Sequence, residues 1–296
     1  MLEQVQRIAI HADDAAVARP ARLRVLRALA RRPLSLVGAF LVAAFALMAL
    51  FGPWLAPHDP TAIYYSAVLA PPSPSYPFGT DATGHDVLSR VLAGARISLS
   101  VGLVAVGIAT AFGTLFGVVA GYLGGWIGGI IMRVMDVMLA FPDILLAIVV
   151  ITILGPGLGT VMIAVGIAAI PAYTRTVRAA VLTVREQDYV EAARALGASS
   201  LRIMVVHVLR NVLTPIVVLV TISLGLAILT SAGLSFIGLG AQPPTPEWGD
   251  MLNDAQNYLQ QAWWMAVFPG AAIMLVVVGL NLLGEGLREI LDPTIR

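Results

Sequence analysis

The chain has 296 residues, 58% hydrophobic and 12% charged, where a soluble domain carries about a quarter charged residues, so its composition points to a bilayer. The formal net charge is +1, which gives no reason to expect a nucleic-acid partner. All 18 basic side chains are arginine and cysteine is absent. That excludes a Walker A lysine, Schiff-base chemistry, disulfides, thiol nucleophiles and zinc–thiolate sites.

Residues 1–33 form an arginine-rich tail, and the stretch 19–32 reads as solvated or interface-lying rather than as a specific lipid site. A membrane helix needs about 20 mostly apolar residues. The first such run, 34–55, is longer than a signal-peptide core and has no convincing cleavage site, so it is expected to be a retained span. Further spans are expected at 97–120, 130–153, 157–174 (interrupted by Pro171), 213–237 and 263–284. Seven arginines precede the first span and six lie between spans four and five, while only Arg90 and Arg96 fall in the alternate loops. The positive-inside rule then places both termini, the 175–212 loop and the 285–296 tail in the cytoplasm. The segments 56–96 and 238–262 face outside.

Thr83 and Asp86 have capping-box spacing at the start of a helix that runs into span two. Asp59, Asp81, Asp86, Glu247, Asp250 and Asp254 give the outer segments an acidic bias. Ordinary solvated charge is one reading; contact of Glu247, Asp250 and Asp254 with a substrate-delivering protein is the other. Gly113, Gly117, Gly121, Gly125 and Gly129 recur every fourth residue. They predict close helix packing through Gly117 and then a turn. Arg133, Asp136 and Asp143 flank or enter span three. Ionisable groups at membrane depth often mark a pathway, whereas Arg133 and Asp136 can also pair at i, i+3. Trp263 and Trp264 fit an interfacial aromatic belt.

The stretch 188–211, "DYVEAARALGASSLRIMVVHVLRN", predicts a two-turn helix. Asp188 and Glu191 have capping-box spacing and Gly197 suits a left-handed C-cap. Ser199 or Ser200 then starts a second helix. A helix this short needs a tertiary partner. Ala192, Ala193 and Ala195 permit close approach, and Tyr189, Ala193 and Leu196 share a face. Packing on its own bundle and docking on a cytoplasmic partner both satisfy the pattern.

The run Glu191-Ala192-Ala193, three residues, then Gly197 resembles the "EAA" loop of bacterial ABC importer permeases. His207-Val208-Leu209-Arg210-Asn211 follows it with arginine where that family usually has proline, which predicts a less sharply broken entry to span five. "RRPLSLVGAFLVAAFALMALFGPWLAPHDP" (31–60), "FGTDATGHDVLSRVLAGARISLSVG" (78–102), "MRVMDVMLAFPDILLAI" (132–148), "GLSFIGLGAQPPTPEWGDML" (233–252) and "LLGEGLREILDP" (282–293) are similar to the dipeptide, oligopeptide, nickel and glutathione permeases of that family, in their second permease type. The resemblance implies an all-α, six-span type I importer permease that forms half of an alternating-access pathway for di- or oligopeptides or glutathione, with nickel as an alternative substrate. Its implied partners are a homologous permease, two ATPase subunits that bind ATP and magnesium, and an extracytoplasmic binding protein. It implies no cofactor, metal or catalytic residue in this chain. Asp188, Tyr189, Glu191, Ala192, Ala193, Leu196 and Gly197 would form the coupling helix. A secondary transporter is the first rival, though no inverted repeat is detectable. An intramembrane enzyme is the second, weakened by the missing lysine and cysteine and by four scattered histidines (His11, His58, His85, His207).

Overall fold

The computed structural model describes residues 32–291; nearly all of the expected 1–33 tail lies outside that range. Nine helices follow in chain order among the described residues. They are α1 (Pro33–Leu55), α2 (Val87–Leu123), α3 (Gly125–Leu139), α4 (Asp143–Leu154) and α5 (Leu158–Val184). The short α6 (Asp188–Ala195) precedes α7 (Ser200–Phe236), α8 (Trp248–Ala255) and α9 (Trp264–Leu291). The described residues hold no β structure beyond an isolated bridge between Thr80 and Asp86.

Five helices are long and apolar enough to cross a bilayer: α1, α2, α5, α7 and α9. The expected third span is not one straight helix. Its two halves, α3 and α4, meet at 93° across Ala140–Pro142. Pro142 explains the break, because proline pushes the residue before it out of helical conformation. With 12 residues, α4 extends about 18 Å at 1.5 Å per residue, short of the roughly 30 Å hydrocarbon core. Pro171, by contrast, does not interrupt its helix: α5 runs unbroken through it to Val184. The 175–212 loop is therefore shorter than expected, since both its flanks are helical.

α2 and α5 form the central pair. An added Cβ at Gly117 would stand 2.6 Å from Val177 Cβ, and one at Gly121 would stand 2.7 Å from Val181 Cγ1. Only glycine permits that approach, and the glycine register extends one repeat beyond the expected end at Gly117. The turn falls at Gly124–Gly125, both with positive φ, while Gly129 has open space around it.

Three apolar clusters stack along the bundle. One joins α1, α2, α8 and α9 through Phe45, Val91, Trp248 and Met265. The second joins α2, α4, α5 and α7 through Val101, Ala147, Val161 and Ala227. The third seats α6 against α2, α5 and α7 through Val118, Val177, Val190 and Val212. At one end, Arg32 pairs with Glu289, tying α1 to α9.

Candidate functional site

α6 is held to the bundle chiefly by one fully buried side chain. Val190 is fully buried among Val181, Ile203 and Val208, whereas Tyr189, Glu191, Ala192 and Leu196 are exposed. Leu196 is 88% exposed, an unusual position for a large apolar side chain at a helix end. Ala193 is half-buried against the same apolar cluster as Val190, so it does not belong to the exposed face with Tyr189 and Leu196.

The helix stop is as expected. Gly197 has φ +82°, its N–H donates to the Arg194 carbonyl, and the Ala198 N–H donates to the Ala193 carbonyl, each at 3.0 Å. This pair of bonds is a Schellman motif, which satisfies the last carbonyls of the helix. The helix start differs. Gln187, not Asp188, is the N-cap, and it makes no side-chain cap bond. Asp188 and Glu191 instead lie in the first turn, where carboxylates favour the helix dipole. Ser199 caps the next helix by accepting from the Arg202 N–H at 3.4 Å. α7 then continues through a π-helical segment, Ile203–Val208, past Arg210 and Pro215 without a break. Arg185, just beyond α5, donates to the Gly121 carbonyl at 3.0 Å and so closes the end of α2 beside α6.

Asp136 does not pair with Arg133. Its carboxylate accepts from Arg175 Nη2 on α5 at 2.5 Å, so the pair bridges two helices where an i, i+3 contact was one expectation. Asp143 opens α4 directly after the break. It lines a cleft between α2, α4, α5 and α7 with Tyr173, Ser223 and Thr230. None of these three hydroxyl residues stands out in the sequence, because single hydroxyls inside apolar spans carry no period.

At the far end of the bundle from α6 the acidic residues turn inward. Glu247 and Asp250 are buried, so in this conformation neither offers a surface to a partner; Asp254 is exposed. Glu247 is the N-cap of α8, accepting from the Asp250 N–H at 3.0 Å and from Ser98 Oγ on α2 at 3.1 Å. Asp86 is the N-cap of α2 and accepts from Ser89. Thr83 serves Asp81 instead, donating from its hydroxyl at 2.7 Å, so the expected box does not form.

Arg90 is the centre of this acidic group. It is 2% exposed, with Nε 3.8 Å from Asp81 Oδ2. Its Nη1 and the Oδ2 of Asp250 have no hydrogen-bond partner within the chain. Burial opposes ionisation of Asp81, but hydrogen bonds from Thr83 and the His85 backbone, with the charges of His85 and Arg90, outweigh it and hold Asp81 below its ordinary value. Asp250 goes the other way. Burial, then the nearby Asp254 and Glu247 charges, push it up to about 7 against the pull of Arg90. Partial desolvation also raises Asp254, although its outer surface is open.

The tryptophans divide. Trp263 is 52% exposed, consistent with an interfacial belt. Trp264 is buried and donates from Nε1 to the Thr80 carbonyl at 3.0 Å. Trp248 is wholly buried and donates to the Val91 carbonyl at 3.0 Å. These two indoles pin the 80–86 turn and α8 to the bundle.

A broken span, a bundle of apolar helices and a short anchored helix at one end define an importer permease fold. A chain from an inward-facing structure of the MetNI methionine ABC transporter shares it, with a TM-score of 0.55 and 20% identity, over 68% of this chain and 96% of that one. Residues 113–296 match the binding-protein-dependent transport system inner membrane component family. Residues 23–72 match the N-terminal transmembrane domain of oligopeptide transport permease C. The chain is 46% identical to the di/tripeptide transport system permease protein DppC of Pseudomonas aeruginosa over 254 residues, 84% of each. It is 49% identical to the dipeptide transport system permease protein DppC of Escherichia coli, over 88% of this chain and 89% of that protein. It is 48% identical to the glutathione transport system permease protein GsiD of Shigella flexneri, over 90% and 88%. The chain belongs to the binding-protein-dependent transport system inner membrane component family: it is a multi-pass permease subunit, which removes the secondary-transporter and intramembrane-enzyme readings.

Proposed function

We propose that this chain is one half of the membrane pathway of a peptide importer, pairing with a homologous permease. The observation that carries the reading is α6: a helix anchored chiefly through the fully buried Val190 that presents Tyr189, Glu191, Ala192 and Leu196 outward and is stopped sharply at Gly197. Asp188 and Ala193 complete the coupling segment, one as a first-turn acid and one as the small residue that lets the helix sit close. The helix docks on an ATPase subunit, and two such subunits bind ATP and magnesium; this chain holds neither. Movement of α6 on nucleotide binding is passed through Val190 to α5 and α7, and so alternates access to the pathway.

The arginine distribution supports cytoplasmic termini and a cytoplasmic α6, with α8 outside, where a binding protein delivers substrate. Asp254 is the acidic residue of α8 open to such a partner; Glu247 and Asp250 support it from within. Relatives named for di- and tripeptides, dipeptides and glutathione support a short peptide or glutathione as substrate over nickel.

Purification from membranes with its co-expressed partners tests the assembly, and proteoliposome uptake of labelled dialanine and glutathione tests the substrate. The expected result is stoichiometric ATPase subunits and ATP-dependent uptake of at least one of the two. Purification without any ATPase would remove the reading.

A further inference from the structure

We infer that Asp143 is the counter-ion for the α-ammonium group of the transported peptide, held in the cleft that Asp143 lines with Tyr173, Ser223 and Thr230; the inference rests on the peptide-importer reading. A carboxylate at membrane depth is costly unless it meets a cation, a donor or water. Asp143 is exposed at the cleft, and among the described residues no hydrogen bond or ion pair reaches it; Arg175 is engaged by Asp136. The placement of Asp143 in the first turn of α4 accounts for part of its tolerance, through the helix dipole. It does not account for the Tyr173 hydroxyl.

Tyr173 is 1% exposed. Its hydroxyl lies beside the hydroxyls of Ser223 and Thr110, close enough to interact with both but outside good hydrogen-bond geometry with either. A buried phenol normally finds a partner; Tyr173 shares its oxygen only loosely with Ser223 and Thr110, which leaves it free to turn to a donor entering the cleft. Among the described residues Asp143 is the only charged one lining the cleft, and small side chains such as Ala168 and Ala172 form much of its wall. A negative group, several hydroxyls and alkyl walls favour a primary ammonium with a small apolar substituent, and disfavour a carboxylate or phosphate. The ammonium has three donors, which match the Asp143 carboxylate and two of the hydroxyl oxygens. The space available to the centres of water-sized molecules is about 100 Å³, where a single water needs roughly 10–15 Å³. That accommodates the amino end of a peptide.

The absence of cysteine in this chain makes Asp143→Cys its single thiol, and the complex with wild-type Asp143, treated with the same reagents, reports any effect of thiols on the partners. Asp143→Asn, Asp143→Glu and Asp143→Cys are reconstituted with all partners, and binding-protein-dependent uptake of labelled dialanine is measured. Asp143→Asn should lower uptake about tenfold or more, equivalent to 1.4 kcal/mol or more, with the ATPase and second permease subunits retained, and Asp143→Glu should keep most of it. Asp143→Cys should be as poor as Asp143→Asn. Its uptake should recover when the thiol carries a sulfonatoethyl thiosulfonate adduct, which restores a negative charge, but not with a neutral methyl adduct; the mass of this chain confirms each modification. Wild-type uptake by Asp143→Asn, or equal uptake with both adducts, overturns the inference and leaves the importer reading standing. Loss of the second permease from Asp143→Asn assigns the residue to the subunit interface and also overturns it. If the wild-type complex moves neither dialanine nor any other short peptide, the peptide reading itself fails, and the inference with it.

Discussion

Gly117 on α2 lies against Val177 on α5 so closely that a Cβ at position 117 would stand 2.6 Å from the Val177 Cβ and 2.9 Å from the Thr174 carbonyl oxygen. Neither atom is the end of a flexible side chain, so the backbones themselves would have to part. Forcing extra carbon into a packed interface costs about 1–3 kcal/mol. Gly117→Val should therefore lower the thermal midpoint of the purified protein in lipid nanodiscs and its yield from membranes. Gly129→Val, on a glycine with nothing within 4 Å, should leave both close to wild type. Equal damage from the two substitutions would mean that the α2–α5 contact is not what the glycine register serves.

This contact shows what a local pattern can and cannot reveal. The four-residue glycine period marks a packing face without its partner, and where it stops depends on Val181, sixty residues away. The α6 stop was legible for the same local reason, since Gly197 is read from sequence as a left-handed position. Its anchor was not. Tyr189, Ala193 and Leu196 form the face that spacing suggests, yet the buried residue is Val190, because the wall it meets is built from α5 and α7. The break at Pro142 carried a signal that an apolar window hides. The acidic outer segments misled most. Composition cannot say that Asp81, Glu247 and Asp250 fold inward around Arg90, a residue whose nearest carboxylates are scattered over 170 positions of chain.

Val190 gives the sharpest test of α6. Val190→Ala removes a fully buried side chain's grip, and complete burial of a valine is worth about 1.5–3 kcal/mol. Hydrogen exchange over residues 188–197 should rise in Val190→Ala while the spans stay protected. ATPase subunit retention should fall with it. Unchanged protection would show that α6 is held by something other than this side chain.

Gly197→Val addresses the orientation of α6 rather than its attachment. A non-glycine residue in left-handed conformation costs about 1–2 kcal/mol, and more for a β-branched one. The Schellman bonds to Arg194 and Ala193 should be lost and transport should drop sharply. Glu191→Ala should be much milder, at a few tenths of a kcal/mol through the helix dipole, because Glu191 makes no capping contact. Transport and ATPase retention measured side by side check the order; Glu191→Ala as damaging as Gly197→Val would point to a direct charge contact with the ATPase instead.

The Arg90 cluster makes a prediction about pH. The Asp250 carboxyl is pushed up to about 7 in the folded chain, against about 3.9 for an unperturbed aspartate. Between those values the folded state holds a proton that the unfolded state has lost, so stability falls as pH rises from about 4 to about 7 and levels off above. Asp254, also raised, adds a slope of the same sign. Asp81 is lowered, so its contribution is present at neutral pH and is lost only as pH falls below the ordinary aspartate range. The thermal midpoint in nanodiscs should therefore decline from pH 5 to pH 8. Asp250→Asn keeps the shape of the side chain and removes its charge beside Glu247 and Asp254. It should flatten most of that decline and make the variant more stable than wild type at pH 8, with the two nearly equal at pH 5. Asp250→Arg should fail at every pH, because it places a second cation beside the buried guanidinium of Arg90. A wild-type slope that persists undiminished in Asp250→Asn would show that another group in the cluster carries the proton.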